Sequence, residues 1–369
     1  MRLFVAAVQR AIGCLPAATE SERQAAMITL PRDAGYESFV GLSARLGADS
    51  RLVQAAGGNT SIKRDGVLWI KASGKLLREA MRENIFVPVD LAGVRAGIER
   101  DEADPTVGRV LGETPLRPSI ETTLHALLPQ RVVLHLHSVN ALASAVRADG
   151  RAQLAARLDG LPWAWVDYRR PGLPLTRAVR AVAGAATSVL ALGNHGIVVG
   201  ADDCAAAEAL LRDVERRLVL PARAALPADP ARLNAAAAAI GYRRASDPVI
   251  DALATDAACF AQARRGVLYP DHVVFLGGAA CVVDVAADAP AVVAAHRDRY
   301  GAPPACVLVE GAGVLIAPTA LAAAEEMLLC QTEVLLRVPE GTPLRFLSAE
   351  EISELLNWDA EKFRRSAAH

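Results

Sequence analysis

The chain has 369 residues, of which 52% are hydrophobic and 22% charged, a composition that excludes a disordered polymer and is ample for a sizeable core. Its 40 Lys and Arg against 41 Asp and Glu leave a formal net charge of −1, which excludes a strongly basic nucleic-acid binder and a polyacidic tail. Aromatic residues are only 4%, too few for base-stacking platforms.

The first 30 residues read as an irregular extension. Residues 1–8 have the look of a short signal, but Gln9 and Arg10 cut the apolar run. Residues 36–46 suit a helix. Gly57-Gly58-Asn59-Thr60 forms a glycine turn, and residues 62–70 read as a β-hairpin with Asp65-Gly66 at its corner. Ser73-Gly74-Lys75 ends it. A strand is expected over 85–89 and a helix over 91–100. Ser119 is placed to N-cap a helix over 120–128. Strands are expected at 131–138, 163–168, 188–192 and 197–199, with helices at 141–157, 175–184 and 204–219. Alternation of this kind predicts a layered α/β domain over 31–220. The Ala-, Pro- and Arg-rich stretch 221–245 reads as a linker helix and loops, and 246–369 as a smaller α/β unit. Stretch 181–201, the longest without a formal charge, is broken by glycines, Asn194 and His195, so no membrane span is expected. The six scattered cysteines contain no CxxC, which points to reduced thiols and a cytoplasmic setting.

The smaller unit carries an echo of the first. Shifted by 117 residues, VLALGNHGIVVG at 189–200 falls on CVLVEGAGVLIA at 306–317, so that Gly196 meets Gly313 and His195 meets Ala312. Either this is a degenerate repeat or two alanine-rich βα units share a pattern by chance.

The chemistry concentrates on a few polar residues. His135 and His137 stand two apart on an apolar strand, so both imidazoles reach one side and one ion, or else bond to each other. His195 sits between two apolar β segments. Glu121 opens an apolar helix 14 residues before His135, as a ligand, a base or an ordinary first-turn acid. His125, one turn on, reads as a packing residue. The turns at Gly58-Asn59 and Ser73-Gly74, and the helix start at Ser119, offer backbone N–H groups suited to phosphate, although ordinary turns use the same residues.

Taken in order, GGNTSIK, LWIKASG, PSIETTLH, VVLHLHS, YRRPG and LALGNHGIVVG resemble the class II aldolase/adducin family over about residues 36–220. The wording is most similar to the aldolase half of bifunctional rhamnulose-phosphate aldolase/alcohol dehydrogenases, and YPDHVVF at 269–275 and LLNWDAEKFR at 355–364 extend the likeness. The resemblance implies a layered α/β/α fold with a mainly antiparallel central sheet. It implies a zinc ion held by Glu121, His135, His137 and His195, although imidazole and carboxylate also suit other divalent metals. Gly58, Asn59, Ser73, Gly74 and Ser119 would hold a substrate phosphate. The implied reaction is retro-aldol cleavage of a sugar phosphate through a metal-stabilised enediolate, with Glu121 moving the proton. Tyr168 matches a catalytic tyrosine, or simply ends a strand. The family also contains epimerases, dehydratases and the metal-free adducin module, and fold does not separate these. A homo-oligomer acting on a small molecule, with no nucleic acid or membrane partner, is the expected setting.

Overall fold

The computed structural model describes residues 30, 31 and 33–367. Almost all of the expected N-terminal extension therefore lies outside the described residues. Eleven strands form two sheets. The larger contains β1 (Asn59–Arg64), β2 (Val67–Lys71), β3 (Phe86–Asp90), β4 (Val132–Leu136), β5 (Trp163–Val166), β6 (Val189–Leu192) and β7 (Gly196–Ala201), in the order β3-β2-β1-β4-β7-β6-β5. Every neighbouring pair in it is antiparallel except β5 and β6. The corner between β1 and β2 has Asp65 and Gly66 both at positive φ, as a two-residue hairpin turn of this sequence requires.

Helices cover both faces, as the layered α/β expectation has it. Val132, Leu134 and Leu136 of β4 share one core with helices Ala34–Ala48 and Cys204–Leu218. The alternate residue Val133 packs the other way, with Leu124 of helix Thr122–Leu127 and with Leu175 and Val179 of helix Leu173–Val182. By the two-residue period of a strand, His135 lies on that second side, facing the helix that Glu121 opens.

Two expected elements differ. Ser119 is not the N-cap of the helix at 122–127. That position is Glu121, whose own N–H donates to Ser119 Oγ at 3.2 Å. The helix expected over 141–157 is two, Val139–Ala145 and Gly150–Arg157, because the backbone between them bonds elsewhere: Ala148 N–H donates to Pro343 C=O and Arg345 N–H to Val146 C=O. The stretch 221–245, expected as a linker helix and loops, holds helix Pro230–Ile240, whose Leu233 is fully buried, and the short edge strand β8 (Arg243–Arg244).

The second sheet, β8-β11-β10-β9, adds β9 (Val282–Val283), β10 (Cys306–Val309) and β11 (Gly313–Ile316). Its pairing repeats that of β4-β7-β6-β5. Val309 pairs Gly313 as Leu192 pairs Gly196, and Cys306 pairs Ile316 as Val189 pairs Val199. The parallel partner follows the same shift, with Leu308 on Val282 as Ala191 is on Trp165. The turn residues match as well: Asn194 and Gly311 have φ of 52° and 67°, and Gly196 and Gly313 have 154° and 142°. Helices Leu173–Val182 and Ala289–Tyr300 occupy the same place between the parallel strands. The repeat read from sequence is thus a repeat of register and topology. Arg244 stands opposite Leu315 where His135 stands opposite Val198, so the second copy lacks this imidazole too.

Candidate metal centre

Strand register assembles the site. Asn59, at the start of β1, lies directly opposite His135 on β4. Its Nδ2 donates to Glu121 Oε2 at 2.8 Å, fixing the carboxylate against the histidines. Gly58 takes positive φ, and a Cβ there would fall 2.9 Å from His135 C=O, so glycine lets the loop approach β4. Lys71, buried at the end of β2, donates to the carbonyls of Ala56 at 2.8 Å, Gly57 at 3.3 Å and Gly58 at 2.8 Å. Burial pulls its pKa down to about 7, while the three oxygens suit the ammonium form. His195 is presented by the turn between β6 and β7. Neighbouring Asn194 anchors that turn by donating to the carbonyls of Leu268 and Arg345, each at 2.8 Å.

The three imidazoles converge, with ring centroids 4.8–5.2 Å apart. His135, His137 and His195 each offer a ligand atom, all within 4.8 Å of one another, and all three residues are buried. Glu121 Oε2 lies 3.2 Å from His135 Nε2, and Oε1 lies 3.6 Å from His195 Nε2. His135 Nδ1 donates to Ile197 C=O at 3.1 Å, and His137 Nδ1 lies 2.9 Å from Asp271 Oδ2. The Ile197 carbonyl assigns the His135 proton to Nδ1, and the Asp271 carboxylate beside His137 Nδ1 favours the same tautomer there. Both Nε2 atoms are then bare lone pairs, and they face each other at 3.2 Å. Two buried lone pairs at that distance repel unless a cation lies between them. Glu121 Oε1 and His195 Nδ1 are also buried, without a hydrogen-bond partner among the described residues. The donor set therefore fits a divalent metal.

The electrostatics agree. Burial pushes His135 and His195 down, His195 to about 3, so both are neutral donors at pH 7. Burial opposes ionisation of Glu121, but His135, His195 and Asn59 outweigh it and hold the carboxyl at about 2. His125 accepts no ligand role here: its Nδ1 meets Ser61 Oγ at 2.7 Å within the core.

The predicted phosphate residues divide. Ser73 N–H donates to Arg117 C=O and Ser119 N–H to Lys71 C=O, which sets the two serines side by side. They line a cavity of about 480 Å³ with Arg117, Arg170 and Trp358. Gly58 and Asn59 sit on the metal side, and Gly74 has positive φ in the turn after Ser73. Lys75 is taken by Glu83 at 2.7 Å. Tyr168 packs with Val267, Val273, Leu347 and Leu355 under the Arg345 guanidinium, its buried Oη without a partner among the described residues.

Residues 39–219 match the family described as Class II Aldolase and Adducin N-terminal domain. This part of the chain belongs to the class II aldolase/adducin family. A curated relative, the uncharacterized oxidoreductase YuxG of Bacillus subtilis, is 34% identical over 196 residues, or 48% of this chain and 27% of its own length. The chain thus spans about a quarter of that relative. Among solved structures, the N-terminal class II aldolase domain of a Thermoplasma acidophilum protein is 24% identical over 52% of this chain and 94% of its own, with a TM-score of 0.45. The L-fuculose-1-phosphate aldolase of Thermus thermophilus is 18% identical over 50% and 91%, with a TM-score of 0.34.

Beyond the class II aldolase domain, sequence reading missed Asp271 and Arg364. Asp271 lies in a helix, Pro270–Leu276, that is otherwise almost wholly apolar and entirely buried. A lone acid in such a run is the signal that marks it, because a buried carboxylate needs a partner. Arg364 is nearly as buried, and it pairs with Asp271.

Proposed function

We propose that the chain is a metal-dependent class II aldolase that cleaves a sugar phosphate, or a related hydroxy-carbonyl compound, by retro-aldol chemistry. The observation that carries this reading is the approach of the Nε2 atoms of His135 and His137 to 3.2 Å, with Glu121 and His195 closing the ring. A divalent metal, zinc by preference for this donor set, supplies Lewis-acid stabilisation of the negative charge that develops on the substrate oxygens.

The chain's own residues do the rest. His135, His137 and His195 hold the ion and leave a side open for substrate. Glu121, ionised at neutral pH and held by Asn59, takes and returns the proton at the carbon where the bond breaks. The departing aldehyde oxygen requires a proton donor. Tyr168, which the family resemblance matches to a catalytic tyrosine, is assigned that role. Ser73 and Ser119, with Gly74 in the turn after Ser73, receive the anionic end of the substrate, Arg117 and Arg170 line the same cavity, and Gly58 and Asn59 stand on the metal side. As an assembly we expect a homo-oligomer.

The test is metal content by elemental mass spectrometry on the wild type and a His135→Ala/His137→Ala variant, followed by a screen of ketose phosphates for aldehyde release. About one zinc per chain, lost in the variant, together with aldehyde release supports the reading. A wild type that holds no metal after reconstitution sinks it.

A further inference from the structure

We propose that the C-terminal unit completes the metal centre, with Asp271, held by Arg364, as the positioning residue of His137; this rests on the metal-dependent reading above. His137 lies just beyond the end of β4, so unlike His135 it has lost the neighbouring strand as a guide. His135 is oriented by the Ile197 carbonyl of β7. His137 has instead the Asp271 carboxylate, 2.9 Å from Nδ1 and delivered by helix Pro270–Leu276 of the second unit.

The carboxylate is itself held. Its other oxygen, Oδ1, pairs with Arg364 of the last helix, Asp359–Ala367. Arg364 Nε in turn lies 2.8 Å from Glu361 Oε2, and its guanidinium stands over the Phe275 ring at 5.4 Å. All of these polar groups are buried, so each charge depends on the next: removing one leaves another unpaired in a medium that cannot solvate it. The chain Glu361–Arg364–Asp271–His137 thus runs from the end of the second unit to the metal side of the first. It fixes both the tautomer and the direction of the His137 ring, and so aims Nε2 at the ion. Carboxylate support of this kind behind a ligating histidine changes metal affinity by roughly 10- to 100-fold.

The experiment uses the full chain and zinc alone. Zinc affinity is measured by competition with a chromophoric chelator for the wild type and for Asp271→Ala, with circular dichroism and thermal unfolding as the fold check. A loss of roughly 10- to 100-fold in a folded variant is the expected result. A folded Asp271→Ala that binds zinc as tightly as the wild type overturns the inference and leaves the metal reading standing. The second measurement needs no variant at Asp271. In ¹⁵N-histidine-labelled wild type, with the His137 signal identified by its loss in His137→Asn, the ring is expected as the Nδ1–H tautomer. An Nε2–H tautomer overturns the inference even if Asp271→Ala does not fold. A wild type that binds no zinc sinks the metal reading and this one with it.

Discussion

Gly57 lies against the contact between His137 and Asp271. A Cβ built on it would fall 2.6 Å from Asp271 Oδ2 and 2.9 Å from His137 Nδ1. The first glycine of the Gly-Gly-Asn turn is therefore a spatial requirement of the His137–Asp271 contact. Gly57→Ala is expected to cost about 1–3 kcal/mol in overpacking and to weaken zinc binding. Denaturant unfolding and a zinc titration check this, and unchanged values in both would refute it.

Lys71 is the donor that ties the same turn from below. Replacing it with methionine keeps the length and removes the charge. The carbonyls of Ala56 and Gly58 then lose their buried donor, at about 1–3 kcal/mol for each group left unsatisfied. Lys71→Met should lower the unfolding midpoint and loosen Asn59 from Glu121. A midpoint equal to that of the wild type would count against this.

Glu121 is ionised at neutral pH, so Glu121→Gln fixes the group in a neutral form of the same shape. Metal content should persist through the three histidines, while turnover of a responsive substrate falls by about 10²–10⁴-fold. Tyr168→Phe removes only a hydroxyl that has no partner among the described residues, so it should leave stability intact and reduce kcat. Full kcat in either variant removes that residue from the mechanism.

Acid should destabilise the fold through buried neutral histidines. Burial holds His272 at about 3, against 6.5 when exposed, and His125 is displaced in the same direction. Between those values the unfolded chain binds the extra proton, so this stability is complete above pH 6.5 and is lost as the pH falls towards 3. For one such group the slope approaches about 1.4 kcal/mol per pH unit. Urea midpoints at pH 7 and pH 5 should differ less in His272→Leu than in the wild type. An identical difference would contradict the assignment.

Local pattern carried the larger domain. The Asp65-Gly66 corner, the alternation in β4 and the apolar hairpin around Asn194-His195 each state their own geometry, because strand period and turn chemistry act over a few residues. The helix break at 146–149 was not legible, since the segment that bonds it lies some two hundred residues away at 343–345. Ser119 read as a cap because its residue type suits one. Its neighbour Glu121 took that position while its side chain went to Asn59 and the histidines.

From the sequence alone came the family likeness, which implied the three histidines and Glu121 as a set, and a similarity at a spacing of 117 residues that left repeat and chance both open. The motifs behind the likeness rest on residue types and short-range order, which a linear chain displays directly. Only the tertiary structure showed that the repeat keeps its register while Arg244 replaces the imidazole, and that Asp271 and Arg364 reach back to His137. A buried charge shows its need for a partner in sequence, but the identity of that partner depends on chain folding that brings distant segments into contact.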